Sequence, residues 1–159
     1  MFRTVLAAVL IALAAAVAVR SSASAQAPAT RTLTFTEVQK GSTFIHIRNA
    51  KTKSQRSNSL GDLIVFTNRL ADASGKKVGK LHVTCTTTVG SPNFLKSTLT
   101  CTGVVVLSDG TLTIAANSSP SIPTTTGAVT GGTGAYAGAR GVFVSHETKT
   151  AITDTITLL

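Results

Sequence analysis

The side chains able to do chemistry are few and widely spaced. In Asp62–Leu70, a two-residue alternation puts Ile64, Phe66, Asn68 and Leu70 on one face and Val65, Thr67 and Arg69 on the other. Asn68 therefore falls among large apolar groups, where an amide is costly unless it is hydrogen-bonded. Asn68, Phe66 and Ile64 are thus candidates to line a site for a small hydrophobic molecule. An ordinary buried Asn satisfied by backbone is the other reading. Asp62 and Arg140 are candidate polar contributors. Asp62 also reads as a strand-end turn residue, and Arg140 as the partner of a carboxylate such as Asp62 or Glu147. His46, His82 and His146 lie far apart with no ligand spacing, so no metal site is expected. Ser145, His146 and Glu147 are consecutive, but strand neighbours point to opposite faces and form no triad. The glycine-rich run Gly127–Gly141 is followed by neither Lys-Ser or Lys-Thr nor an amphipathic helix, unlike a phosphate loop. No cofactor is expected.

The two cysteines carry a geometric argument. Strands Lys80–Val89 and Lys96–Leu107 are joined by the turn-rich Gly90-Ser91-Pro92-Asn93. A hairpin centred near Asn93 sets Cys85 across from Cys101, Val83 across from Gly103 and Leu81 across from Val105. One face stays apolar throughout, and opposed residues come close enough for a bridge. A Cys85–Cys101 disulfide is expected, with two buried free thiols as the alternative.

Such a bridge requires an oxidising compartment, and the N-terminus predicts one. Arg3 precedes an apolar run from Val5 to Val19, and Ala23-Ser24-Ala25 has the small-x-small form of a cleavage site. Residues 1–25 read as a signal peptide. The run is shorter than the roughly 20 residues of a spanning helix, so no membrane span is expected in the mature chain. The protein should be secreted, extracellular or periplasmic. Cleavage removes Arg3 and Arg20 and lowers the formal charge from +9 to +7. A basic chain suits anionic partners. Nucleic acid is not expected, because single-strand binders need aromatic platforms, and the mature chain has five Phe, one Tyr and no Trp.

The elements that must position these groups are strands. Residues 26–31 read as a flexible leader, and the barrel domain should span 32–159. Leu33–Val38 alternates apolar and polar, as a half-buried strand does. Phe44–Ile47 is a short strand or the edge of a loop. Residues 48–59 carry four basic residues and no acid, which predicts an exposed loop. Asp62–Leu70, Val78–Thr88, Ser97–Leu107, Thr111–Asn117, Thr124–Thr130, Gly141–Glu147 and Ala151–Leu158 follow. Asp109-Gly110 suits a two-residue type I′ hairpin that pairs Leu107 with Leu112 and Val105 with Ile114. The last strand alternates Ile152, Asp154, Ile156 and Leu158. About eight strands without an amphipathic helix predict an all-β fold, either an antiparallel barrel or a sandwich.

Two motifs select the barrel. Gly127–Gly141 resembles the Val-x-Gly-Gly-Thr-Gly-x-Phe-x-x-Ala-Arg-Gly signature of dirigent proteins and the related allene oxide cyclases. Gly61-Asp-Leu-Ile-Val-Phe-Thr-Asn-Arg-Leu70 is similar to a cyclase strand. The resemblance implies an eight-stranded antiparallel β-barrel that holds a small hydrophobic molecule and assembles as a trimer. It also implies that Asn68 helps hold a water in the cavity, and that Cys85 matches a cavity cysteine, which a disulfide would silence. The cyclases carry Glu-x-Asn on the first strand, and those positions fall on Thr34 and Thr36. Glu37 lies nearby but faces opposite to Thr36 and Val38, so the carboxylate that assists epoxide ionisation is missing or displaced. The expected task is to steer a cyclisation or stereoselective coupling by shape. A non-catalytic lipocalin-like carrier and a solid surface-interaction barrel are the alternatives.

Overall fold

The structure, a computed structural model, describes residues 30–49 and 57–159. The signal peptide, most of the leader and the middle of the basic loop lie outside the described residues. Eight strands form one closed antiparallel barrel in chain order: β1 (Arg31–Ile47), β2 (Leu63–Ala71), β3 (Lys77–Val89), β4 (Thr98–Leu107), β5 (Gly110–Ser118), β6 (Thr124–Gly134), β7 (Gly141–Glu147) and β8 (Ile152–Leu158). β8 closes on β1 from Arg31↔Leu158 to Thr36↔Thr153. A single 3₁₀ turn, Phe94–Lys96, lies between β3 and β4, its first N–H groups capped by Asn93. Closure leaves few ladder groups without a partner, and alternation sends every second side chain inward.

The cysteine register is as expected: Cys85 faces Cys101, Val83 faces Gly103 and Leu81 faces Val105. The two sulfurs are bonded, across a Cα separation of 4.0 Å. Two local expectations are corrected. The strand expected over Leu33–Val38 and the segment Phe44–Ile47, read as a short strand or the edge of a loop, form a single β1, and its register against β2 shifts between Val38 and Thr43. Gly41, at φ +80°, turns the chain within that bulge. The β4–β5 hairpin also closes two residues earlier than expected. Leu107 pairs with Gly110 and Val105 with Leu112, so the loop is Ser108-Asp109. Gly110 belongs to the ladder, where a Cβ would meet the Thr133 carbonyl oxygen at 2.1 Å, so the position takes glycine. The slip of two residues preserves the faces.

The glycine-rich run also does more than turn. Gly131 and Gly132 continue β6 and pair with Thr113 and Leu112. Tyr136, in the turn that follows, is buried and donates to Asp109. It plugs the barrel end, and Gly132 permits this because a Cβ would lie 2.4 Å from the Tyr136 carbonyl oxygen.

The interior divides into two halves. Toward Tyr136 the inward residues are large: Leu70, Leu81, Val105, Leu112, Val129 and Ile156 are all buried in one cluster. Toward the other end, inward positions on β4–β7 hold Gly103, Ala116, Ser118, Gly127 and Ser145, which fill little space. The first half is core and the second is hollow.

Candidate functional site

The hollow half encloses a cavity of about 180 Å³ walled by Ile64, Phe66, Val83, Phe94, Ile114 and Phe143, among others. The Cys85–Cys101 bridge forms part of that wall. The cavity continues into an outer chamber of about 490 Å³ where Gln39, Thr43 and Phe44 of β1 face Pro120, Ile122 and Pro123 of the β5–β6 loop. Phe66, Ser118, Thr125, Ser145 and Glu37 border both chambers and so form the neck between them.

The three residues expected to line the site come together here. Ile64 lies in the inner wall, Phe66 at the neck and Asn68 at the outer chamber. Asn68 is buried, and its Nδ2 donates to Glu37 Oε2. Glu37 follows Leu33 and Phe35 in the inward set of β1, while Thr34 and Thr36 point outward. The carboxylate looked for on the first strand is therefore present, on the other face and at a different position.

A second carboxyl sits behind the first. Asp154 of β8 is 1% exposed and lies between Phe35 of β1 and Ser145 of β7 in the ladder. Glu37 and Ser145 act on it electrostatically, yet neither oxygen has a partner at hydrogen-bond geometry. Burial is the first cause that pushes the Glu37 pKa up to about 8, and the Asp154 carboxyl adds to it. The Asn68 hydrogen bond pulls the other way and is outweighed. Burial also raises Asp154, against the opposing pull of Ser145 and Glu37. Burial and the neighbouring carboxyl keep Glu37 protonated at neutral pH. Glu37 can then give up a proton to a bound molecule or take one from it.

Asp62 and Arg140 lie elsewhere. Asp62 is buried at the rim, where its carboxylate accepts the N–H of Asn49 at 2.7 Å and of Ser59 at 2.9 Å. His46 Nε2 stands 3.4 Å away. Burial alone would raise its pKa, but these backbone donors and His46 outweigh it, and the net shift is downward. Asp62 thus ties the two ends of the β1–β2 loop to β2. Arg140 is exposed and donates to the Thr130 and Ala139 carbonyls, so it pairs with neither Asp62 nor Glu147. Ser145 faces the cavity, whereas His146 is exposed and contacts Thr124. Among the described residues, no group of three His, Cys, Asp or Glu side chains is placed to hold a metal ion, and no helix is long and apolar enough to cross a membrane.

Residues 42–156 match the family described as the allene oxide cyclase barrel like domain. The chain belongs to that family. The match begins after Glu37, so the neck carboxyl lies outside it. A search of curated proteins finds no match. Among solved structures, the fold is similar to a pyocyanin demethylase at 23% identity and TM-score 0.63, over 82% of this chain and 100% of the other. A pterocarpan synthase dirigent protein matches at 21% identity and TM-score 0.63, over 82% of this chain and 83% of its own. A Diels–Alderase from Streptomyces koyangensis follows at 14% identity and TM-score 0.55, over 80% of this chain and 63% of that one. At these identities the likeness is one of fold.

Glu37 and Asp154 are the functional candidates that the motifs passed over. The signal was parity: Glu37 is in step with Leu33 and Phe35, and Asp154 with Ile152 and Ile156. An acid on the apolar phase of a strand marks a buried carboxyl.

Proposed function

We propose that this barrel binds a small hydrophobic molecule in its inner cavity and steers a cyclisation or coupling there, with Glu37 as the proton donor and acceptor. The observation that carries this reading is a protonatable carboxyl at the neck of a mostly apolar cavity. The walls supply shape and hold one reactive conformer. Glu37, with Asp154 behind it opposing its ionisation, supplies a proton at neutral pH without a cofactor. Similar folds described as a dirigent pterocarpan synthase and a Diels–Alderase support the reading.

We further propose that the chain is exported, loses residues 1–25 and works in an oxidising compartment. The Cys85–Cys101 bridge supports this. Native mass spectrometry of the protein purified from its own host tests both parts. A mature chain beginning at Gln26 and carrying a small molecule is expected. With that molecule or its precursor as substrate, Glu37→Gln should lower turnover by about 10²-fold or more while the ligand is still retained. Retention with no protein-dependent change in product would make the barrel a carrier. Failure to retain any ligand would remove the proposal.

A further inference from the structure

Large apolar side chains gather on the outside of one end of the barrel. The links β1–β2, β3–β4, β5–β6 and β7–β8 all lie at the end where the cavity opens, opposite the Tyr136 plug. Leu60 (68% exposed), Val89 (55%), Leu95 (50%) and Ile122 (58%) stand on or beside these links, and Phe44 is exposed at the outer chamber. Three of these tips are held by their own turns. The Asp62 N–H donates to the Ser59 carbonyl across Leu60, and the Leu95 N–H donates to the Asn93 cap. Ile122, between Ser121 and Pro123, donates its N–H to the Ser119 carbonyl. None of these turns needs a large apolar residue to form, and a polar one there would be better solvated.

The exposed charge at this end is mainly positive. Three of the six acids, Glu37, Asp62 and Asp154, are buried, and Asp72 and Asp109 lie in the turns at the Tyr136 end. Among the described residues, Glu147 is the one exposed acid at the open end. Lys96 follows Leu95 directly, Lys149 stands in the β7–β8 link, and both are exposed. Among the described residues no carboxylate pairs with either lysine. Apolar tips flanked by cations around an opening fit an anionic bilayer better than a protein partner. Side chains on separate loops enter the headgroup layer one by one, whereas a protein interface needs a continuous complementary surface. The lysines meet the anionic headgroups.

We propose that the open end of the barrel docks on the surface of an anionic lipid bilayer, with Leu60, Leu95 and Ile122 inserted and Lys96 and Lys149 against the headgroups. The chain lies on the bilayer and does not cross it. The 3₁₀ turn couples this surface to the cavity, because Leu95 is exposed while Phe94 beside it walls the inner chamber. A docked barrel presents its mouth, between Phe44 and Ile122, to an apolar layer from which a hydrophobic molecule enters without crossing water. The docking surface goes beyond the chemistry proposed for Glu37 and does not depend on it.

Vesicles of phosphatidylcholine, alone or mixed equally with phosphatidylglycerol, test the proposal on the oxidised mature protein. Sedimentation should show binding to the anionic vesicles at least about tenfold tighter than to the neutral ones. Leu60→Ser combined with Leu95→Ser should weaken it by about tenfold or more, and Lys96→Ser by about fivefold. The chain has no Trp, so Leu95→Trp reports its own surroundings. Its emission should shift to the blue on anionic vesicles and be quenched by brominated acyl chains. Val106→Trp, on the outer face near the Tyr136 end, should not respond. All these positions are exposed, so the fold should tolerate the changes. Binding that the double Leu variant leaves intact, or equal responses from the two tryptophans, would overturn the proposal. No binding to either vesicle would overturn it too, and a homo-oligomer lost in the double variant would then assign the tips to a second copy. Glu37→Gln should bind vesicles as the parent does, so a failed docking surface and a failed Glu37 chemistry are told apart.

Discussion

Asp62 at the rim, just before β2, and Glu37 at the neck, on β1, are both buried carboxyls, and the barrel treats them in opposite ways. Asp62 meets two backbone N–H groups and an imidazole, so its charged form is held and its pKa falls. Glu37 lies deep in the barrel beside one amide N–H and a second acid, so burial first and the Asp154 carboxyl next oppose its charged form, and its pKa rises to about 8. Neither side chain is open to solvent, but Glu37 lies deeper than Asp62 and has fewer donors. A carboxylate whose hydrogen-bonding capacity is filled by donors acts as a fastener. One left short of donors retains a proton it can exchange.

The largest test of that contrast is the pH dependence of stability. A carboxyl with a raised folded pKa ionises first in the unfolded chain, so Glu37 lowers stability as pH climbs from its ordinary value of 4.5 to about 8. Asp154 acts with the same sign. Denaturant melts should show a loss on the order of 3 kcal/mol across that window, and Glu37→Gln should remove most of it. A flat profile in the unmodified protein would mean that the neck is wet and the carboxyls are ordinary.

Reduction probes the wall beside the neck. The bridge closes a loop with a sequence separation of 16. Its removal should cost roughly 3 kcal/mol in the loop-entropy model. Intact mass without reductant should be two mass units below the reduced value, about two hydrogens fewer. Ready alkylation of both thiols in the folded protein would refute the bridge.

Asp62→Asn is the matching test at the rim. It sets an amide where two backbone N–H groups expect a carboxylate, and should cost about 2 kcal/mol at pH 7. Because the folded pKa of Asp62 is depressed, its contribution is present above the ordinary value of 3.8 and is lost as pH falls below it. The variant and the parent should therefore converge in acid, opposite to the neck. Divergence in acid would break the comparison.

Asn68→Leu sharpens the contrast on the other side. It takes from Glu37 its one hydrogen-bond donor, so the Glu37 pKa should rise further and stability should fall by about 1 kcal/mol. Asn68→Asp should be worse, since it adds a third acid to the cluster. Titration of the Glu37 carboxyl carbon by NMR gives the direction in Asn68→Leu. Arg140→Ala is the control with the smallest effect: an exposed cation on two carbonyls should change stability by no more than about 0.5 kcal/mol.

Alternation along each segment was enough to read the inward faces, the strand count and the Cys85–Cys101 register, because a strand's period of two leaves its faces no freedom once one side is apolar. Asn68 was legible for the same reason: it is the polar member of an apolar set. Local pattern could not place the turn after Leu107, because a hairpin slipped by two residues keeps every face, and the close approach of Thr133 that requires glycine at position 110 comes from another strand. Nor could it bring Glu37 to Asp154. Those acids are far apart in the chain and meet because β8 closes on β1, and closure is a property of the whole sheet. The cavity likewise belongs to the tertiary structure. Gly103, Ala116, Ser118 and Ser145 are unremarkable one strand at a time, and become the wall of a hollow only when three strands bring them to the same cavity.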